Sequence, residues 1–161
     1  MPEASGQRMC VLIVDDEPDI REMLCDLLRF EYDCEAAASA EDALLLLNET
    51  KFQLIVSDIT MGGMSGLEMI PHVLAHSPES VVVMISGMQT IESAIEALRL
   101  GAFDYVMKPF DLRQVEASVK RALEHYELRE AKRRYENHLE EMVAQRTTGP
   151  AYADLHRSGL P

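Results

Sequence analysis

The chain has 161 residues, 15 of them Lys or Arg and 28 Asp or Glu, for a formal net charge of −13. Apolar residues make up 47% and charged residues 27%, which excludes wholesale disorder and allows one real core with room for an extension. The acidic balance excludes a strongly basic nucleic-acid binder, because phosphate contacts need clustered Lys and Arg, and leaves room only for a small DNA-reading patch.

The first apolar run, Met9-Cys10-Val11-Leu12-Ile13-Val14, suits a strand buried on both faces. It ends in Asp15-Asp16-Glu17, and Pro18 fits a first helical turn, where its missing N–H would lack a partner anyway. A weaker strand follows at Asp33–Ala37. Ser39, with Glu41 and Asp42 behind it, caps a second helix. Leu54-Ile55-Val56 is the next strand and ends in Ser57-Asp58. Ser65 and Glu68 form a capping box for a third helix, inside which Pro71 should remove one hydrogen bond. Val81–Ile85 is a third strongly apolar strand, ending in Ser86-Gly87. Thr90 caps Ile91–Leu100, and Gly101 supplies a left-handed stop. Phe103–Met107 is a weaker strand ending in Lys108-Pro109. Asp111, with Gln114 three residues on, starts a last helix, and residues 112–146 contain no helix breaker.

No apolar run reaches the roughly 18–20 residues of a membrane helix. The N-terminus lacks the basic and apolar segments of a signal peptide. Cys10, Cys25 and Cys34 are sparse and odd in number, with no Cys-x-x-Cys pair. That argues against a disulfide scaffold or zinc site and fits a reducing cytoplasm. His72 and His76 stand four apart on the third helix without a third ligand in view, so they read as surface residues. Met61, Met64 and the other methionines read as packing.

Strand–helix repeated five times gives a doubly wound α/β fold with a parallel sheet. In such sheets the loops leaving the C-terminal strand ends build the ligand site. That edge then gathers Asp15, Asp16, Asp58, Ser86 and Lys108. Clustered carboxylates demand a cation or a raised pKa, and hard oxygens suit Mg²⁺. Lys108 adds a point charge for phosphate oxygens, and Ser86 a hydroxyl donor. This equipment stabilises a transferring phosphoryl group, for which Asp58 is the natural nucleophile. No P-loop, no Gly-x-Gly-x-x-Gly after strand 1 and no Gly-x-Ser-x-Gly elbow is present.

At these residues the chain resembles the receiver domain of two-component response regulators. The resemblance rests on Val14-Asp15-Asp16-Glu17-Pro18, on Asp58 followed by Met61, Gly63, Met64 and Gly66, on Ser86-Gly87, on Gly101–Tyr105, and on Lys108-Pro109-Phe110. It spans residues 8–125 and implies a flavodoxin-like strand order 2-1-3-4-5. It further implies a phosphoacceptor rather than an enzyme acting on outside substrates, with a sensor histidine kinase as donor. Asp58 would take the phosphoryl group; Asp16, Asp58 and the Thr60 backbone carbonyl would ligate Mg²⁺ (Mn²⁺ as substitute), with Asp15 acting through water. Lys108 would pair with the phosphoryl oxygens, Ser86 would swing toward them, and Tyr105 would change rotamer in response. The Lys108–Pro109 bond would be cis. Gly62 stands where the family often has Pro. Thr60 and Met88, which tune hydrolysis in the family, carry no group suited to orienting water, so slow self-dephosphorylation is expected.

Residues 1–124 hold 9 basic and 22 acidic side chains, whereas 125–161 hold 6 of each. Val115, Val119, Leu123 and Tyr126 should close the core, after which Leu128, Tyr135 and Met142 recur at seven, with Ala131 and His138 or Leu139 between. Residues 126–147 are thus expected as a helical linker that pairs in a homodimer and passes a signal to an output domain, truncated or separate; a solvated, fraying helix is the plainer reading. His138–Thr147 resembles linkers before HD-GYP phosphodiesterase domains. Residues 148–161 read as an irregular tail, an expression remnant or the trimmed start of something larger. Two other functions compete: a phosphorylation-independent receiver-like docking module, and a haloacid-dehalogenase-type phosphatase. The latter expects Asp-x-Asp where this chain has adjacent Asp15 and Asp16.

Overall fold

The computed structural model describes residues 7–87 and 90–148. Strands and helices alternate as β1 (Cys10–Val14), α1 (Pro18–Leu28), β2 (Asp33–Ala37), α2 (Ala40–Glu49), β3 (Leu54–Ser57), α3 (Gly66–His76), β4 (Val81–Ser86), α4 (Ile91–Leu100), β5 (Asp104–Met107) and α5 (Leu112–Thr148). The strands pair in parallel in the order β2-β1-β3-β4-β5, the flavodoxin-like arrangement. β4 runs one residue past the apolar run because Ser86 stays in register with Met107.

Alternation along the strands divides the core in two, since successive side chains point to opposite faces. Val11, Ile13, Leu54, Val56, Val83 and Ile85 pack with Leu24 and Leu28 of α1 and Val115, Val119 and Leu123 of α5. Leu12, Val14, Ile55, Val82 and Met84 pack with Ala43, Leu47, Met69, Val73 and Ala97 of α2, α3 and α4. Full burial of each Val, Leu or Ile contributes about 1.5–3 kcal/mol. The cap residues do what their chemistry suggests. The hydroxyls of Ser39, Ser65 and Thr90 accept from the amides of Asp42, Glu68 and Ser93 at 3.1, 3.1 and 3.2 Å, each worth about 1 kcal/mol. Gly101 ends α4 at φ +116°, and Pro71 does lie inside α3.

The chain divides into two units, Met1–Tyr126 and Glu127–Pro161. In the first, α5 buries Val115, Val119, Leu123 and Tyr126. In the second, Leu128, Tyr135, Leu139, Met142 and Val143 are all exposed. α5 continues through Thr148, one residue beyond the linker boundary read from the sequence; the tail 149–161 lies outside the described residues. Among the described residues, no helix is long and apolar enough to cross a membrane.

Candidate functional site

A parallel sheet delivers every strand's C-terminal end to one edge, and pairing continues past the strands there. The Asp58 amide donates to the Val14 carbonyl at 2.9 Å and the Asp15 amide to the Ala37 carbonyl at 3.2 Å, so the two carboxylates leave the sheet side by side. From β5, the Lys108 amide donates to the Ser86 carbonyl at 2.8 Å, which aligns these two tips. The Lys108–Pro109 peptide is cis.

The Lys108 ammonium reaches across the edge. Nζ lies 3.1 Å from Asp15 Oδ2, 3.1 Å from Asp58 Oδ2 and 3.7 Å from Glu17 Oε1. Asp15 and Asp58 are 2% and 6% exposed, whereas Asp16 and Glu17 face solvent. The other carboxylate oxygens are held by backbone: Asp15 Oδ1 accepts from the Glu17 amide at 2.9 Å and Asp58 Oδ1 from the Ile59 amide at 2.7 Å. Arg21 donates to the Asp15 carbonyl at 2.7 Å and fixes the turn from below.

The charges respond accordingly. Burial holds the Asp15 carboxyl above the usual carboxylate range, aided by the Asp58 charge and opposed by the Glu17 amide and Lys108. Burial alone would lower the Lys108 ammonium, but hydrogen bonds to Asp58 and Asp15 win and raise it. Ligand atoms of Asp15, Asp16, Glu17 and Asp58 lie within 4.8 Å of one another. Four carboxylates against one ammonium leave uncompensated negative charge with an open, oxygen-only side at Asp16. That donor set fits a hard divalent cation that keeps several waters.

The loop leaving Asp58 is shaped by two residues whose roles the sequence pattern did not explain. Gly66 donates its amide to the Ile59 carbonyl at 2.8 Å, and a Cβ built on it would stand 2.0 Å from the Asp58 carbonyl oxygen. Only glycine permits that approach. Glu41, visible in sequence only as a first-turn acid of α2, accepts from the Met64 amide at 2.7 Å beside Gly63, whose φ is +78°. Met61 is buried and Met64 packs against the core. Thr60 is exposed in this loop; Met88 lies outside the described residues.

Ser86 is 1% exposed at the end of β4. Tyr105, in register with Met84, is half-buried, and its hydroxyl lies 3.3 Å from Ser93 Oγ on α4. Tyr105 therefore couples β5 to α4 through Ser93, which the sequence pattern did not single out. His76 lies 3.0 Å from the Leu47 carbonyl and His72 is exposed; neither belongs to the acidic cluster.

Residues 11–120 match the response regulator receiver domain. The response regulator protein PilR of Pseudomonas aeruginosa is 38% identical over 117 residues, covering 72% of this chain and 26% of PilR. The nitrogen assimilation regulatory protein NtrX of Azorhizobium caulinodans is 39% identical over 122 residues, covering 74% and 27%. The chain thus spans only about a quarter of the length of these curated relatives. Among solved structures, the beryllofluoride-activated NtrC4 receiver domain dimer superposes with a TM-score of 0.70 at 33% identity, over 73% of this chain and 98% of that one. The receiver domain of an HD domain-containing protein from Pseudomonas fluorescens gives 0.72 at 25% identity, over 75% and 98%. The β2-β1-β3-β4-β5 sheet, the acidic edge beside Lys108 and these matches agree: the chain belongs to the response regulator receiver domain family.

Proposed function

We propose that Asp58 is a phosphoacceptor charged by a sensor histidine kinase, and that residues 8–125 act as a two-component switch read out through the helical linker 126–147. The observation that carries this is the single ammonium of Lys108 standing 3.1 Å from both Asp15 and Asp58. An Asp58 oxygen attacks phosphorus while the P–N bond to the donor histidine breaks, its electron pair returning to the imidazole. Asp16, Asp58 and the Thr60 carbonyl would hold Mg²⁺, or Mn²⁺ in its place, with Asp15 reaching it through water. When bound, the ion neutralises charge on the phosphoryl oxygens.

Lys108 already touches the Asp58 oxygen that the new group would carry, so phosphorylation lets the ammonium turn from carboxylate to phosphoryl. The new group brings about −1.5 to −2 charge and strong acceptors, which the Ser86 hydroxyl and Lys108 satisfy with charge-assisted bonds. Movement of Ser86 toward Asp58 frees space behind β4. Tyr105 can turn into it, releasing Ser93 and shifting α4 against β5 and α5. Thr60 lacks a carboxylate or amide to orient an attacking water, so the acyl phosphate is expected to persist; a lifetime of only seconds in Mg²⁺ buffer would contradict this. Pairing of the linker in a homodimer, and an output domain beyond it, complete the proposed path.

Incubation with acetyl phosphate and Mg²⁺, followed by intact mass, tests the reading. Wild type is expected to gain one phosphate, Asp58→Asn none, and the surface control Asp42→Asn one. Unlabelled wild type would favour a phosphorylation-independent docking module.

A further inference from the structure

Outside the acidic edge, one pair of thiols among the described residues stands within reach of bond formation. Cys25 of α1 and Cys34 of β2 are both thiols, with Sγ atoms 3.3 Å apart. We propose that Cys25 and Cys34 form a redox-active dithiol that a peroxide converts reversibly to an intrachain disulfide.

The surroundings favour this pair over the third thiol. Cys34 donates its S–H to Cys25. That hydrogen bond, against the cost of burial and helped by Arg29 and Arg21, lowers the Cys25 thiol to about 7. The thiolate is the reactive form. Cys34 is half-buried on the edge strand and lines a surface cavity of about 390 Å³ together with Arg8 and Arg29, which gives a small oxidant access. Cys10 also borders that cavity but packs against the core on the opposite sheet face from Cys25 and Cys34. Its thiol is pushed up by burial and by the charges of Asp33 and Glu35.

The chemistry balances with one peroxide. The Cys25 thiolate, its proton lost to solvent, attacks a peroxide oxygen; an S–O bond forms, the O–O bond breaks and hydroxide leaves, taking up a proton to become water. Cys34, giving up its S–H proton, attacks the Cys25 sulfur; the S–S bond forms, the S–O bond breaks and the leaving hydroxide takes that proton to become a second water. Two thiols lose two electrons and the peroxide gains them. The new bond would close the segment 25–34, in which Leu28, Glu31, Tyr32 and the 89%-exposed Phe30 line a groove against Arg113 and Lys120 of α5. Oxidation would thereby hold one wall of that groove fixed.

Trypsin separates all three thiols, because cleavage after Arg21, Arg29 and Lys51 puts Cys25 in residues 22–29 and Cys34 in 30–51, with Cys10 upstream. The full chain is treated with hydrogen peroxide, denatured, capped with N-ethylmaleimide and mapped without reductant. The expected product is peptide 22–29 joined to 30–51, lighter by two hydrogens, reversed by dithiothreitol, and formed at least about tenfold faster than any change at Cys10. Cys10→Ser should keep the cross-link and Cys34→Ser should lose it. Three capped thiols after excess peroxide, a Cys25 sulfinic acid without the link, or a bond to Cys10 or to a second chain would overturn the proposal.

Discussion

Lys108 is the residue on which the site's electrostatics turn. Its side chain is 17% exposed and those of Asp15 and Asp58 3% and 7%, so its loss leaves two buried carboxylates facing each other. Lys108→Ala is expected to cost about 2–4 kcal/mol in EDTA, part of it restored by Mg²⁺; urea unfolding with and without the ion measures this, and an unchanged midpoint would show that the acids are solvated without Lys108. Asp104 is a second residue-scale anchor, tying β5 to α5. It accepts from Ser118 at 2.7 Å, Arg121 at 2.9 Å and the Tyr105 amide at 2.8 Å. Burial alone would raise its carboxyl, but these donors outweigh it and hold the group below its ordinary 3.8. A depressed acid contributes stability above its unfolded pKa and loses it as pH falls through the folded one. Asp104→Ala should therefore cost about 1 kcal/mol at pH 7, a discounted figure for a half-exposed group, with the difference closing as pH drops below that ordinary value. Equal losses at neutral and acid pH would contradict the assignment.

At the scale of elements, the sequence was most legible where local chemistry decides. The three apolar runs, the Ser39, Ser65 and Thr90 caps and the Gly101 stop each depend on neighbours a few residues away, and each stands where its chemistry puts it. Asp15, Asp58 and Lys108 were legible because a parallel sheet gathers strand ends whatever lies between them. Glu41, the Ser93–Tyr105 contact and the Cys25–Cys34 pair were not, since each joins elements whose spacing only the packed fold sets. Gly66 was visible as part of a pattern, but its reason, contact with the Asp58 carbonyl, is tertiary. Gly66→Ala is expected to destabilise by about 1–3 kcal/mol and to slow labelling of Asp58. Gly62→Ala, with nothing within 4 Å of its new carbon, should change stability by less than about 0.5 kcal/mol. Similar thermal shifts for both would show that the loop yields freely.

For the whole molecule, α5 sets the question of assembly. Beyond Tyr126 its apolar side chains have no cover among the described residues: Leu128 is 71% exposed and Tyr135 64%, and with Met142 they follow a seven-residue repeat. If this seam pairs two copies, Tyr135→Glu should weaken the dimer by about tenfold or more in sedimentation equilibrium while the unfolding midpoint of the receiver portion stays in place. An unchanged dimer would assign pairing to another surface. The central claim is that the strand-3 aspartate stores the phosphoryl group. Borohydride reduction of the acetyl-phosphate-treated chain tests it most directly, because it converts an aspartyl phosphate to homoserine. Trypsin then isolates Asp58 in residues 52–99. Homoserine at position 58, dependent on Mg²⁺, is the expected result; homoserine at another carboxylate, or none at any, would contradict it.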